Sequence, residues 1–452
     1  MTDTQRRAAP PSAAARPGNP TDPPVPIDEA YGFATRAVHA GARPDPVTGS
    51  RNVPIHQTTS YVFDDVDHAA ALFNLQTFGY IYSRLTNPTV AALEERVAAL
   101  EGGRGAVAVA SGHAAQLVAF YTLLEPGDDI VAARQLYGGS LTQFRHTFGR
   151  LGWSADFVDV EDHDAFRRAI GPRTKALFVE SLSNPGGVVA DLEALADIAH
   201  AASIPLVVDN TMATPYLCRP FEWGADLVVH SLTKFLSGHG TSMGGVVVES
   251  GRFDWAGSGK FPFLAGPDPG YHGLDFIETF GDFGFSMKAR AVALRDLGPA
   301  LSPTNAFLIL TGIETLPLRI ERHLANAREI AAFLQAHPAV DWVSYAGLPS
   351  SPWHALAARY LPRGPGSVFT IGLKGGFEAG VRAVEAVNLW SHRANVGDTR
   401  SLILHPASTT HRQLSDEERV AAGAGPEVVR LSVGIESVDD LIADLDQALS
   451  IA

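Results

Sequence analysis

The sequence predicts an α/β protein whose large domain is built on a mostly parallel central sheet and is followed by a smaller C-terminal α+β domain. Short apolar runs rich in β-branched residues alternate with helical patterns between residues 106 and 250. Because these runs are apolar throughout rather than alternating, they are typical of strands that helices cover on both faces. The length of 452 residues also exceeds what one small core requires, so two domains are expected.

Six runs are expected to form the strands of this sheet. They are Ala106–Ala110, Ile130–Ala133, Ala176–Glu180, Pro205–Asp209, Asp226–His230 and Gly245–Val248. The helix before the first strand is predicted to begin at Asn87 as the N-cap, with Pro88 at its first position. Its apolar stripe is Val90, Leu93, Val97 and Leu100. Gly102 is expected to end this helix.

The chain is expected to divide into four segments. Residues 1–28 are dense in Ala, Pro, Arg and Ser and predict a disordered leader without the apolar segment of a signal peptide. Residues 29–85 would form an N-terminal arm, residues 86–300 the large cofactor-binding domain, and residues 301–452 a linking helix and the small domain. Residues 251–284 lack periodicity and predict ordered loops near the site or at an interface.

The composition argues against several classes of function. A formal net charge of −14 without an extended basic stripe disfavours a nucleic-acid or anionic membrane surface. No apolar run approaches the roughly 20 residues that cross a bilayer. The single cysteine, Cys218, rules out an internal disulfide and fits the reducing cytoplasm.

Metal and nicotinamide sites are also not expected. The histidine pairs His405 with His411 and His230 with His239 lack the spacing of metal ligands beside a partner carboxylate, so they are interpreted as structural or loop histidines. A nicotinamide cofactor is disfavoured because no Gly-x-Gly-x-x-Gly follows the first predicted strand.

A lysine in a glycine-bracketed loop and an aspartate at a strand end suggest the chemistry. Ser231, Thr233 and Lys234 follow the strand Asp226–His230, and Asp209 ends the preceding strand. An acid and an amine can therefore meet at the ends of neighbouring strands. In pyridoxal-phosphate enzymes such a lysine binds the cofactor aldehyde, while the aspartate keeps the pyridine nitrogen protonated. Taken alone, the residue type of Lys234 favours a solvated surface lysine.

Two pairs of residues suit a phosphate group. Ser111 and Gly112 follow the first strand and open a helical pattern, where unpaired N–H groups and the helix dipole favour an anion. Such a glycine turn is often only a turn. Tyr82 and Arg84 lie in a loop-like stretch, and a hydroxyl with a guanidinium suits a dianionic phosphate. Their alternative interpretation is an exposed aromatic beside a surface charge.

Three further residues suit a small-molecule site. Tyr137 follows the second strand, where its ring could stack on the pyridine and its hydroxyl could carry a proton, or it could be a core tyrosine. Asn184 could hydrogen-bond the cofactor's phenolic oxygen or a substrate carboxylate, although Asn-Pro is also a turn signal. Arg430 lies within an apolar strand pattern, where a guanidinium is costly unless it binds an anion such as an amino-acid carboxylate.

Taken in order, these motifs resemble the Cys/Met-metabolism family of pyridoxal-phosphate enzymes, over nearly all the chain from Gly32 onward. The matching blocks are Tyr82-Ser-Arg84, Ser111-Gly-His113, Tyr137-Gly-Gly139, Glu180-Ser-Leu-Ser-Asn184-Pro, Asp209-Asn-Thr211, Ser231-Leu-Thr-Lys234, His405-Pro-Ala-Ser-Thr-Thr410-His and Arg430-Leu-Ser-Val-Gly-Ile-Glu436. Within the family the chain is most similar to the O-acetylhomoserine sulfhydrylases. The signs are Thr35-Arg-Ala-Val-His-Ala-Gly41, residues 251–290 and Asn395-Val-Gly-Asp398.

The resemblance implies the aspartate-aminotransferase-like fold, fold type I, and a set of site residues. The residues implied to bind pyridoxal 5′-phosphate are Tyr82, Arg84, Ser111, Gly112, His113, Tyr137, Asn184, Asp209, Ser231, Thr233 and Lys234. Those implied to bind substrate are Asn184, Asn395, Thr410 and Arg430. The implied catalytic residues are Lys234, Tyr137 and Asp209. His113 would contribute only its backbone amide, and Tyr82 and Arg84 would reach the cofactor phosphate of a neighbouring subunit.

The activity that the resemblance implies is γ-replacement, in which O-acetyl-L-homoserine and sulfide give L-homocysteine and acetate in methionine biosynthesis. The expected protein is a cytoplasmic homo-oligomer, a tetramer built as a dimer of dimers, that binds an O-acyl homoserine and sulfide or a thiol. The alternatives are cystathionine γ-synthase, methionine γ-lyase and a pyridoxal-phosphate protein without turnover. Lys234, Asp209, Tyr137 and Arg430 together argue against the last. The acyl group and the sulfur donor stay open.

Overall fold

The structure, a computed structural model, describes residues 30–410, 412, 415–421 and 423–451. The predicted leader, residues 1–28, lies outside the described residues, so that prediction is untested. Within the described part, no helix combines the length and the apolar character that a membrane span needs.

A seven-stranded sheet forms the centre of the first part of the chain. Its strands are β1 (Gly105–Val109), β2 (Asp129–Ala133), β3 (Ser154–Val158), β4 (Thr174–Glu180), β5 (Leu206–Asp209), β6 (Leu227–Ser231) and β7 (Gly245–Glu249). Their order across the sheet is β1-β7-β6-β5-β4-β2-β3. Every neighbouring pair is parallel except the two pairs of β7, which runs antiparallel to β1 and β6. The predicted mostly parallel sheet is confirmed.

The six predicted strands are all present, and β3 is the strand that the sequence pattern missed. It lies at the edge of the sheet, where β2 is its one neighbour in the sheet. Its side chains are exposed or half-buried. Because an edge strand needs no continuous apolar run, Ser154-Ala-Asp-Phe-Val158 gave no strand signal.

The helix before β1 forms as predicted, over Pro88–Glu101. Asn87 caps it by accepting a hydrogen bond from the backbone N–H of Thr89 at 3.0 Å, and Gly102 ends it in the left-handed conformation with φ at 78°. The other α-helices before residue 315 are Phe33–His39, Val66–Phe73, Gly112–Leu123, Gly138–Thr142, Phe148–Arg150, His163–Ala169, Leu192–Ala201, Thr214–Leu217, Phe276–Phe280, Gly284–Lys288, Arg295–Leu297 and Pro303–Glu314.

A second sheet of five strands follows. Its strands are β8 (Val340–Ser344), β9 (Val368–Leu373), β10 (Ser391–His392), β11 (Leu402–Leu404) and β12 (Val428–Ser432), in the order β10-β11-β12-β9-β8. The pairs are antiparallel except β10 with β11. The accompanying helices are Leu316–Ala336, His354–Tyr360, Gly376–Ala386, Asp416–Ala421 and Val438–Leu449.

The long helix Leu316–Ala336 connects two apolar cores. Its first half, with Leu316 and Ile320, packs into the core around the first sheet, and its second half, with Ile330 and Leu334, packs into the core around the second sheet. This packing supports the proposed linking helix and the proposed division near residue 300. The boundaries themselves stay a prediction.

The segment 251–284 is ordered around a buried ion pair. The Nζ of Lys288 lies 2.7 Å from a carboxylate oxygen of Asp268 and 3.7 Å from the centroid of the Phe263 ring, with the Lys288 side chain fully buried. The prediction of ordered loops is met, with short helices among them. The segment lines no part of the cavity described next, and its predicted place near the site or at an interface stays a prediction.

Candidate active site

The carboxyl ends of three parallel strands meet at one edge of the first sheet. Glu180 ends β4, Asp209 ends β5 and Ser231 ends β6, and Glu180 pairs with Asp209 in register. In open α/β sheets this edge is where ligands bind. A cavity of about 310 Å³ opens there, a size that suits a small molecule.

Most of the predicted site residues line this cavity. They are Ser111, Gly112, His113, Tyr137, Asn184, Asp209, Ser231, Thr233, Lys234, Asn395, Thr410 and Arg430. Lining residues that were given no role are Gln116, Ser140, Glu180, Thr211, Met212, Met243, Ala394 and Val396. The structure thus brings together residues separated by more than 300 positions in the sequence.

Tyr82 and Arg84 do not line the cavity of their own chain. Both side chains are exposed, and the Arg84 guanidinium lies 5.4 Å from the centroid of the Tyr82 ring. A β-bridge between Ser60 and Tyr82 fixes the backbone there. Their predicted role in a neighbouring subunit's site stays a prediction.

The floor of the cavity is made of backbone at the start of the helix Gly112–Leu123. A Cβ added to Gly112 would lie 2.8 Å from the Cβ of Ser231, and a Cβ added to Gly245 would lie 1.9 Å from the carbonyl oxygen of Ser111. The Ser111 hydroxyl accepts a hydrogen bond from the first turn and keeps its own proton for another acceptor. Helix N–H groups, a hydroxyl and no intervening side chain suit a phosphate.

Lys234 lies among groups that favour its neutral form. Its Nζ donates a hydrogen bond to the side-chain oxygen of Asn395 at 2.6 Å. Burial, together with the guanidinium groups of Arg430 and Arg393, lowers the pKa of Lys234 to about 8. Because the neutral amine is the nucleophile, this lysine is suited to attack an aldehyde.

Asp209 is a half-buried acid held by two hydrogen bonds. One carboxylate oxygen accepts from the Thr211 N–H at 2.9 Å and the other from the Gln116 amide at 3.4 Å. Burial raises the pKa of Asp209, while the hydrogen bonds from Thr211 act in the opposite direction. An acid in this position is stabilised in its ionised form by a cationic partner, such as a protonated ring nitrogen.

Arg430 reaches the cavity from the second sheet. Its neighbours Val429 and Leu431 lie in the second core, so Arg430 projects from the opposite face of β12. One guanidinium nitrogen donates to the side-chain oxygen of Asn184 at 3.1 Å and the other to the backbone oxygen of Asn395 at 3.1 Å. Since a guanidinium carries five N–H donors, others are available to a carboxylate.

Tyr137 and His113 form a contact that the sequence did not predict. Their rings stack with centroids 5.8 Å apart at 28°, and Tyr137 remains 47% exposed. Burial lowers the pKa of His113, which favours the neutral ring. Tyr137 is therefore not the satisfied core tyrosine of the alternative interpretation, and the His113 side chain supports its ring.

The histidines considered as metal ligands have other contacts. His230 Nε2 lies 2.5 Å from a carboxylate oxygen of Glu101, His239 contacts the Ser237 carbonyl at 2.7 Å, and His405 contacts the Pro426 carbonyl at 2.8 Å. His411 lies outside the described residues. No group of three or more potential ligands that could hold a metal ion occurs in the part of the chain that the structure describes.

The lowered pKa of Lys234 predicts how its reactivity depends on pH. In cofactor-free protein, the rate at which an amine reagent such as acetic anhydride labels Lys234 should rise about tenfold per pH unit and level off above about pH 8. A lysine with the ordinary value of 10.5 would keep gaining reactivity beyond pH 10. Mass spectrometry of the Lys234 peptide measures the rate, and a rise that continues to pH 10 would contradict the assigned environment.

Several known proteins resemble this chain in sequence. The chain matches over residues 34–450 the family described as Cys/Met metabolism PLP-dependent enzyme. It is 51% identical over 424 residues to the O-acetyl-L-homoserine sulfhydrylase of Leptospira meyeri, which covers 92% of this chain and 96% of that protein. It is 52% identical over 420 residues to O-acetyl-L-homoserine sulfhydrylase 1 of Thermus thermophilus, covering 92% of this chain and all of that protein.

A solved structure has the same architecture. It is the crystal structure of a Campylobacter jejuni protein described as an O-acetylhomoserine (thiol)-lyase, which carries a pyridoxyl-lysine phosphate. The TM-score is 0.91 at 42% sequence identity, over 93% of this chain and 100% of that chain.

Proposed function

The chain belongs to the Cys/Met metabolism family of PLP-dependent enzymes, and from that premise we propose that it converts O-acetyl-L-homoserine and sulfide to L-homocysteine and acetate. The fold type I architecture expected from the resemblance is confirmed. The observation that carries the proposal is one cavity in which an amine of lowered pKa, a half-buried acid and a buried arginine meet. It occurs in a chain that is about half identical to proteins named O-acetyl-L-homoserine sulfhydrylase.

The cavity fits pyridoxal phosphate. Lys234 would hold the aldehyde carbon covalently, and Asp209 would hold the ring nitrogen in its protonated form. The backbone floor at Gly112, with Ser231 and Thr233, would bind the phosphate. When bound, this cofactor supplies an electron sink for negative charge that develops beside the amino-acid Cα.

Residues of the chain would then bind the substrate and transfer the protons. Arg430 would bind the substrate carboxylate through its planar fork, held in place by Asn184 and the Asn395 backbone. The Lys234 amine would take a proton from Cα and return it elsewhere on the carbon chain, because a pKa of about 8 lets it accept and release a proton near neutral pH. Tyr137 is a candidate second acid–base group, since its half-exposed ring faces the same cavity. Thr410 would add a contact near the substrate.

A substrate panel tests the reaction. The purified protein would be assayed with the O-acetyl, O-succinyl and O-phospho forms of L-homoserine and with O-acetyl-L-serine, each against sulfide, cysteine and methanethiol. We expect the highest kcat/KM with O-acetyl-L-homoserine and sulfide, with homocysteine and acetate identified by mass spectrometry. Faster use of cysteine would indicate a cystathionine γ-synthase. In a separate incubation with methionine alone, release of methanethiol would indicate a methionine γ-lyase.

The N-terminal arm supports a proposed shared active site. Large apolar side chains along it are strongly exposed: Val62 by 97%, Val66 by 83%, Phe73 by 59% and Phe78 by 74%. Monomeric proteins rarely expose contiguous apolar surface of this kind, so a second copy of the chain is the partner we propose. The tetramer, a dimer of such dimers, and the cytoplasmic location belong to the same proposal, the latter because a single cysteine suits a reducing compartment.

Mixed oligomers test whether Arg84 serves a neighbouring subunit. Arg84→Ala and Lys234→Ala proteins should each have little activity, but a dimer of one with the other collects both defects in one site and leaves the second site intact. Activity should therefore return on mixing, to at most about half that of the wild type per heterodimer. If mass spectrometry shows heterodimers and no activity returns, Arg84 acts within its own chain.

A further inference from the structure

Glu180 joins two loops of the candidate active site through one side chain. It ends β4 and is buried, with 5% of its surface exposed. One carboxylate oxygen accepts a hydrogen bond from the backbone N–H of Tyr137 at 2.6 Å, and the other accepts from the backbone N–H of Asn184 at 2.9 Å. Tyr137 follows β2 and Asn184 follows β4, so the loops after two neighbouring strands depend on the same group.

The chemistry of the two donors requires a carboxylate at this position. Both partners are N–H groups, and only a carboxylate offers an acceptor oxygen to each, whereas a glutamine would turn a donor toward one of them. The acid is costly here, because burial and the neighbouring Asp209 raise the pKa of Glu180 well above its usual range. An acid that is buried beside a second acid needs a role that compensates this cost.

That role follows from what the two loops carry. The Asn184 side chain accepts a hydrogen bond from Arg430 at 3.1 Å, so Asn184 is held at its backbone by Glu180 and contacts the arginine through its side chain. We propose that Glu180 is a positioning residue that fixes the Asn184–Arg430 pair and Tyr137 in position relative to each other. It thereby determines how well the site binds the amino-acid substrate. The identity of that substrate rests on the proposed function above.

Hydrogen exchange tests the two bonds without any turnover. In the cofactor-loaded enzyme, Glu180→Gln should speed exchange of the Tyr137 or the Asn184 amide, or both, by about tenfold or more, the scale of a lost hydrogen bond to a charged group. Glu249→Gln is the matched control, because Glu249 is also a buried acid of this sheet and accepts from the Ser286 N–H at 2.9 Å. That variant should affect Ser286 and leave the other two amides unchanged.

A double-mutant cycle tests the positioning role. With the substrate that the panel identifies, Glu180→Gln and Asn184→Ala should each lower kcat/KM by about 10- to 100-fold. The double variant should lose little more than the worse single variant, because both changes release the same arginine. Part of the Glu180→Gln effect should fall on kcat through Tyr137, whereas Asn184→Ala should act mainly on KM. The losses from Glu249→Gln and Asn184→Ala should multiply instead.

The outcomes separate this proposal from the proposed function. Unchanged amide exchange in Glu180→Gln, or losses for Glu180→Gln and Asn184→Ala that multiply, would overturn the positioning role whatever the substrate. A wild-type enzyme that prefers another substrate would overturn the proposed function and leave the exchange result standing. If Glu180→Gln does not fold, Glu180→Asp keeps both acceptors on a side chain one methylene shorter, and it should still release at least one of the two amides.

Discussion

Replacing Lys234 with alanine should lower kcat by about 10⁴-fold or more, the upper range for a positioned acid–base group. The variant loses the amine that would both hold the cofactor and carry protons, and no other lysine lines the described cavity. Steady-state rates with the preferred substrate measure the loss. Borohydride treatment of the wild type should attach the cofactor to Lys234, as peptide mass spectrometry would show.

Lys374→Ala is the control for this prediction. The Lys374 side chain is exposed and donates to the Pro338 carbonyl at 2.7 Å. Lys374 directly follows β9 and does not line the cavity. The Lys374→Ala substitution should leave kcat and the borohydride labelling of Lys234 unchanged. A label on any lysine other than Lys234 would remove the central assignment of the site.

Asp209→Ala should lower kcat by about 10²- to 10³-fold while the protein keeps part of its cofactor. The loss reflects the removal of one preorganised charge beside the reacting system, since a neutral pyridine accepts electrons poorly. Retention is expected because Lys234 and the backbone floor would still hold the aldehyde and the phosphate. Cofactor absorbance and steady-state rates measure the two effects separately.

The exposed acid Asp156, on the edge strand β3 of the same sheet, provides a comparison. Asp156→Ala removes one carboxylate without touching the cavity and should turn over at the wild-type rate. Near-normal kcat in Asp209→Ala, with cofactor bound, would mean that the ring nitrogen has a different partner.

The fold could be predicted from the sequence where burial imposed a pattern. The central strands are covered on both faces, so their apolar runs stand out, and the capped helix Pro88–Glu101 carries its own start and stop signals. The edge strand β3 is only partly buried and therefore left no such run. The segment 251–284 has no hydrophobic periodicity, so its packing around Lys288 and Asp268 could not be predicted from the local sequence.

The site was predictable where a motif carries its own chemistry, as in the Lys234 loop. Contacts that depend on how the two sheets pack against each other could not be predicted from the sequence. The bond from Arg430 to Asn184 joins residues 246 positions apart, and nothing in either local sequence indicates it. Glu180 did leave a signal, because it is an acid at the end of an apolar run, as Asp209 is. Its hydrogen bonds to two backbone N–H groups depend on the three-dimensional fold and could not be predicted from the sequence.

Two glycines limit how enzymes of this design can change: Gly112, which lines the cavity, and Gly245, which packs against the Ser111 backbone. Neither glycine has room for a Cβ, so substitution there collides with Ser231 or with main-chain atoms that cannot move aside. New substrate preferences are therefore expected from exposed side chains of the cavity lining, such as Met243 and Thr410. Libraries aimed at other acyl groups or thiols should vary these exposed side chains and keep both glycines. Substitutions are tolerated at the former positions and not at the latter.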